Sequence, residues 1–266
     1  MEKSKLTSLA KRIGSALILA PLVIGAILWG WNTTVVLLLL VSALLAWEWA
    51  EMIPNKNKAV YTSVYLMAAA AMFSFSDIFY PLGVMCLASI FVFFKAKKEK
   101  YRRLLVFGVP YIAMGIGSFA WFYTLFGPLS ALWLLLAVWS TDIGGYVVGC
   151  NLKGPKLAPK ISPNKTWSGL VGAMLFSALT CLAFAYFYIP YDVKIYSLFV
   201  GFGAVLAVIA QCGDLLESKV KRILNIKDSS NLIPGHGGIF DRIDGLLFAT
   251  PFVLVGLYLL YINVLW

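Results

Sequence analysis

The sequence predicts an all-α, polytopic membrane protein, and three observations carry that prediction. The chain is 61% hydrophobic and only 13% charged, against about 25% charged in soluble domains. Apolar runs of near twenty residues recur along its 266 residues, each long enough to cross a ~30 Å hydrocarbon layer as a helix. The basic residues fall in alternate breaks between those runs, as expected of a chain that threads a bilayer repeatedly. A barrel would instead show ~10-residue segments of alternating hydrophobicity.

About nine spans follow in order. The first, 15–31, comes after the basic start "MEKSKLTSLAKR" and lacks a small-residue cleavage site, so it reads as an uncleaved helix. The break "WNTT" leads to 34–52, which closes on "WEWAEM"; there Glu48 and Glu51 read as part of an interfacial belt with the tryptophans. Spans 60–75 and 78–94 are parted by "SFSD", and the basic "KAKKEKYRR" precedes 104–126. "FGPL" separates that span from 130–149, and the long loop "NLKGPKLAPKISPNKTW" separates 130–149 from 168–189. Span 196–213 is followed by a polar stretch from Glu217 to Asp244 and by the last span, 245–265. The glycine pairs in "GIGS" and "GFGA" read as helix-packing contacts. Two regions result, N-terminal helices in 1–127 and a C-terminal catalytic region in 128–266.

With the N-terminus in the cytoplasm and nine alternating spans, every lysine and arginine except Lys194 falls on the cytoplasmic side. The C-terminus then lies outside. The formal net charge of +10 is thus assigned to topology and to anionic lipid headgroups, not to nucleic acid. Cys86, Cys150, Cys181 and Cys212 are scattered singly beside one histidine, His236, a pattern that does not make a zinc site.

Acidic residues are costly near hydrocarbon, so their positions are informative. Asp142 ends the sixth span, Asp214 and Glu217 end the eighth, and Asp241 and Asp244 open the ninth. The predicted topology brings all five to the cytoplasmic face. Asp241 and Asp244, like Asp214 and Glu217, are spaced i, i+3 and share a helix face. Converging carboxylates repel unless a cation separates them. Oxygen ligands without a histidine or cysteine cluster favour Mg²⁺; salt bridges with Lys219, Lys221 and Arg222 are the alternative. "PGHGG", 234–238, surrounds His236 with glycines that expose backbone N–H groups, directly before a helix start that favours an anion. In "SPNKTWSG", Ser162, Asn164, Lys165 and Thr166 crowd hydrogen-bond donors into five positions, and Lys165 can hold a phosphate as a point charge. Together these describe a phosphate site at a membrane face.

The stretch "SKVKRILNIKDSSNLIPGHGGIFDRID", Ser218 to Asp244, resembles the signature of the phosphatidate cytidylyltransferases, or CDP-diacylglycerol synthases. Ser218, Lys221, Arg222, Lys227, Asp228, His236, Gly237, Gly238, Asp241, Arg242 and Asp244 occupy its fixed positions. "SPNKTWSG" resembles a second block of that family, and "TDIGGYVVG", with Asp142, a third. The resemblance covers about 138–250, with departures at Ser168, where an acidic residue is common, and at Cys150, where arginine is. It implies transfer of the cytidylyl group of CTP to phosphatidic acid, with release of pyrophosphate. It further implies Mg²⁺, with room for a second cation, held by Asp214, Asp241 and Asp244. Lys165, Lys221, Arg222 and Lys227 would hold the phosphates of CTP, Arg242 the lipid phosphate, and His236 would orient or protonate a phosphate oxygen. The implied setting is a multi-pass protein of the bacterial inner membrane, facing the cytoplasm, with membrane lipids around it and homodimerisation open. A membrane lipid or polyprenol kinase, which transfers the γ-phosphoryl group, is the neighbouring alternative. An ion-coupled transporter is a more distant one, since its carboxylates belong at mid-membrane.

Overall fold

A computed structural model of the chain describes residues 2–74, 78–189, 192–233 and 237–265. It is helical almost throughout: α1 (Glu2–Trp29), α2 (Trp31–Met52), α3 (Lys58–Ala71), α4 (Phe79–Lys95), α5 (Arg102–Leu152), α6 (Trp167–Tyr188), α7 (Val193–Leu224) and α8 (Phe240–Leu265). Among the described residues, five helices have the length and apolar composition to cross a bilayer: α2, α5, α6, α7 and the stretch Phe240–Leu259 of α8. Leu17–Trp29 and Phe79–Lys95 are apolar but shorter.

The 51 residues of α5 are two helices in one, because Gly127 breaks them with φ 83° and ψ 174°. That left-handed φ suits glycine, and Pro128 then takes the first position of the next segment, where its missing N–H costs nothing. "FGPL" is therefore a tight helix-to-helix joint. Helix α3, at 14 residues, rises only about 21 Å, so it is shorter than the span 60–75 expected there. Conversely, α7 has 32 residues and rises about 48 Å. It continues as helix past Asp214, where the sequence places the span's end, and carries Glu217 and Lys221 on further turns.

Among the described residues, one ribbon falls outside an all-α reading. Strands β1 (Lys156–Ala158) and β2 (Ser162–Thr166) form an antiparallel ribbon, with Lys156 opposite Thr166 and Ala158 opposite Ser162. The eight strand residues of so basic a segment carry no apolar alternation, which is why sequence reading leaves them a loop.

The chain divides into two compact units. The first holds residues 1–128 and also 223–243, a segment the sequence division assigns to the C-terminal region. Its core is aromatic: Trp49 packs on Phe107, Tyr111 and Phe240, with ring centroids 6.1, 5.8 and 5.1 Å apart. Trp49 lies flush against α5 because a Cβ at Gly108 would fall 2.5 Å from its Cδ1. Two polar edges of this core are satisfied by the backbone: Trp49 Nε1 donates to the Leu104 carbonyl at 3.1 Å and the Tyr65 hydroxyl to Leu105 at 2.8 Å.

The second unit comprises 129–222 and 244–266. Its helices meet along glycines. A Cβ at Gly172 of α6 would lie 2.6 Å from the Gly144 carbonyl oxygen of α5, and one at Gly169 would lie 2.9 Å from that of Gly145. "TDIGGYVVG" is thus, in part, a helix-packing seam. Gly203 of "GFGA" behaves likewise, with Ser177 O 2.8 Å from its hypothetical Cβ. Trp133 fills the other end against Phe184, Phe199 and Phe202.

Candidate active site

Two polar centres emerge, one in each unit. In the second unit, Asp214 and Glu217 stand one turn apart on α7, and Asp244 stands on α8. Their carboxylate oxygens lie within 4.8 Å of one another. Close approach of the two backbones makes this possible: a Cβ at Gly213 would meet Asp244 O at 2.7 Å, and one at Gly245 would meet Ala210 O at 3.3 Å. The neighbours are basic. Lys165, on β2, forms an ion pair with Asp214 Oδ2. Lys221, one turn beyond Glu217, pairs with it at 2.6 Å, and Glu217 is almost completely buried. Ser218 Oγ donates to Asp214 Oδ1 at 3.3 Å.

The ribbon delivers Lys165 to this place. Thr166 ends β2 and caps α6, its Oγ1 accepting from Gly169 N at 3.1 Å. Ser168, the departure from the family's acidic residue, bonds the Thr166 hydroxyl at 3.0 Å and also the Lys153 carbonyl. It therefore braces the same turn. Ser162 is half-buried on the ribbon and Asn164 exposed. Arg222, exposed in the last turn of α7, donates from Nε to the Ile161 carbonyl at 3.2 Å. Asp142 is exposed on α5, as is Cys150.

The centre of the first unit is the glycine-rich loop. Asp241 Oδ2 accepts from Ser229 N, Ser229 Oγ and Gly238 N, each at 2.9 Å. Gly237 has φ 79°, a conformation suited to glycine, and its carbonyl accepts from Ile233 N at 2.8 Å. Lys227, Asp228 and Arg242 are exposed around this loop. His236 lies outside the described residues.

Of the sequence-derived ligand set, Asp214 and Asp244 belong to one cluster with Glu217, whereas Asp241 Oδ2 is engaged by its own loop. Glu217 is the member that sequence reasoning passed over. Its i, i+3 spacing from Asp214 was visible, and a helix continuing past Asp214 is what puts it on the same face. Glu48, which the sequence reads as part of an interfacial belt, is fully buried beneath the loop. The donor set of the second-unit cluster is all oxygen, which suits a hard divalent cation. The two lysines already supply positive charge to it.

Fold and site together define an α-helical integral membrane protein with a carboxylate–ammonium centre where helices α7 and α8 meet. Residues 10–260 match the model of the cytidylyltransferase family, and the chain belongs to that family. A phosphatidate cytidylyltransferase of Rickettsia bellii is 44% identical over 139 residues, 48% of this chain and 59% of that protein. That of Bacillus subtilis is 43% identical over 131 residues, 48% of this chain and 47% of its own. The Staphylococcus aureus protein of the same name is 39% identical over 145 residues, 54% of each chain. The chain thus spans about half the length of the curated relatives it matches.

Proposed function

We propose that this protein transfers the cytidylyl group of CTP to phosphatidic acid, giving CDP-diacylglycerol and pyrophosphate. The observation that carries the reading is the meeting of Asp214, Glu217 and Asp244 with Lys165 and Lys221 in a chain of the cytidylyltransferase family. In the reaction a phosphate oxygen of the lipid bonds to the α-phosphorus of CTP. The bond from that phosphorus to the α,β-bridging oxygen breaks, and pyrophosphate leaves with the electron pair. The nucleophile is already anionic, so no strong base is needed; neutralisation and in-line placement are the main tasks. Asp214, Glu217 and Asp244 would hold Mg²⁺. When bound, the ion supplies Lewis-acid neutralisation of the reacting phosphates. Lys165 and Lys221 carry positive charge beside those carboxylates and are placed to exchange them for nucleotide phosphate. Arg222 and Lys227 are exposed nearby in sequence for the same anions, and Arg242 for the lipid phosphate. Asp241 orders the glycine loop by accepting from Ser229 and from Gly238 N.

The topology that suits this chemistry has the N-terminus and all the basic breaks except that with Lys194 in the cytoplasm, at the bacterial inner membrane. It does not depend on whether the short α3–α4 hairpin crosses completely. The loops flanking the hairpin, with Lys56 and Lys58 before it and Lys95 to Arg103 after it, remain on one side in either case. CTP then arrives from the cytosol and the lipid from the bilayer.

The test is the fate of label. Purified protein in lipid nanodiscs, given phosphatidate and CTP labelled at the α-phosphate, should place the label in lipid and release unlabelled pyrophosphate in equal amount. Lipid labelled instead from γ-labelled CTP, with CDP as co-product, would establish a kinase and overturn the proposal.

A further inference from the structure

Among the described residues Glu48 is the one carboxylate of the N-terminal helices that is fully buried, at 0% exposure. Near the end of α2, it accepts four hydrogen bonds from the glycine-rich loop and the start of α8. Oε1 accepts from Ser230 Oγ at 2.5 Å and Ile239 N at 2.9 Å; Oε2 accepts from Phe240 N at 2.7 Å and Ser229 Oγ at 3.4 Å. Among the described residues no lysine or arginine forms an ion pair with it. Its charge is held by two hydroxyls and by the N-terminus of α8, whose free N–H groups and dipole favour an anion.

The local sequence explains why a distant residue does this. The residue before α8 is Ile239, which has no side-chain oxygen with which to cap. Gly238 makes room for the visitor: a Cβ there would lie 2.5 Å from Glu48 Oε1. A glycine of the family signature is thus the seat of a carboxylate 190 positions earlier in the chain. Ser229 links the two acids, since its hydroxyl also donates to Asp241 Oδ2 at 2.9 Å. Below, Trp49 packs against Phe240 with ring centroids 5.1 Å apart, so Glu48 and its neighbour grip the first residue of α8 from two sides. By contrast Glu51, three residues on, is exposed and pairs with Lys58.

We propose that Glu48 is a positioning residue for the cytidylyl transfer, an inference that rests on the function proposed above. Its carboxylate caps α8 and holds Ser229, Ser230 and Ile239, and through the shared Ser229 hydroxyl it sets the bearing of Asp241. Glu48→Gln keeps the side chain's size but turns one acceptor into a donor. In either amide orientation the new NH₂ group faces a backbone N–H and a hydroxyl, so half of the cap is lost without a cavity. A shift approaching 1 Å at the reacting groups costs roughly 10²-fold in rate.

The experiment compares wild type with Glu48→Gln, Glu48→Asp, Ser230→Ala and the control Glu51→Gln, measuring kcat, KM for CTP and amide hydrogen exchange at Ile239 and Phe240. Glu48→Gln should lower kcat by about ten- to a hundredfold with KM for CTP within about twofold, and should speed exchange at both amides. Glu48→Asp should regain part of kcat, and Glu51→Gln should match wild type. Wild-type kcat in Glu48→Gln overturns the proposal, as does a loss that merely tracks the fraction of folded protein and is equal in Glu48→Asp. If Glu48→Gln does not fold, Ser230→Ala decides: a several-fold fall in kcat with native stability supports the proposal, and wild-type kcat refutes it. A wild type that makes no CDP-diacylglycerol would sink the proposed function, while the exchange comparison would still show whether Glu48 holds the loop.

Discussion

Gly213 offers the sharpest single perturbation of the carboxylate centre. It precedes Asp214 on α7 and faces α8, where a Cβ would lie 2.6 Å from Phe248 Cβ and 2.7 Å from the Asp244 carbonyl oxygen. Both obstacles are close to or part of the backbone, so they cannot swing aside. Ordinary contact begins at 3.4 Å, and Gly213→Ala must therefore part the helices from 2.7 to 3.4 Å, about 0.7 Å. Overpacking of this kind costs about 1–3 kcal/mol. The displacement acts on the two helices that carry Asp214, Glu217 and Asp244, and misplacement on the 1 Å scale costs roughly 10²-fold in rate. Turnover should fall at least about tenfold, out of proportion to a modest loss of thermal stability. Gly201 on the same helix is the matched control, since a Cβ there meets nothing within 4 Å. Gly201→Ala should keep full activity and gain up to about 1 kcal/mol, because glycine is the poorer helix former. Pyrophosphate release and thermal denaturation in the same detergent measure both quantities. Wild-type turnover in Gly213→Ala would refute the claim that close contact of α7 and α8 builds the site.

Other perturbations address single groups. Lys165→Met removes the ammonium paired with Asp214; turnover should fall more than about tenfold, while Mn²⁺ binding without nucleotide, followed by electron paramagnetic resonance, should tighten. Unchanged Mn²⁺ affinity would mean that Lys165 does not compete for the carboxylates. Glu217→Ala strips Lys221 of a buried partner 2.6 Å away and should destabilise the protein by about 3–5 kcal/mol; an unaltered denaturation midpoint would contradict that.

Much of the fold was legible because hydropathy reports it directly. The apolar runs mark the helices, and "FGPL" marks the Gly127 break inside α5. Helix length past the membrane was not legible, since polar residues such as Glu217 and Lys221 continue α7 without any apolar signal. Nor was the β1–β2 ribbon, whose pairing has no alternation to betray it. Within the site, i, i+3 spacing pointed to Asp214 and Asp244, but the same spacing could not separate Asp241 from Glu217. That separation comes from the loop, where Ser229 and Gly238 take Asp241 Oδ2. Glu48 shows the limit most plainly. Beside tryptophans it reads as an anchor, and only its contacts with residues almost two hundred positions away reveal a cap.

The claim on which the account turns is that Asp214, Glu217 and Asp244 hold the divalent cation used in cytidylyl transfer. Titrating Mn²⁺ against CDP-diacylglycerol formation in wild type and in Asp244→Asn tests it most directly. The account predicts a midpoint raised at least about tenfold, in keeping with the ~10–100-fold losses seen when a metal site is disturbed, together with a lower maximal rate. An Asp244→Asn protein with the wild-type midpoint and rate would contradict it.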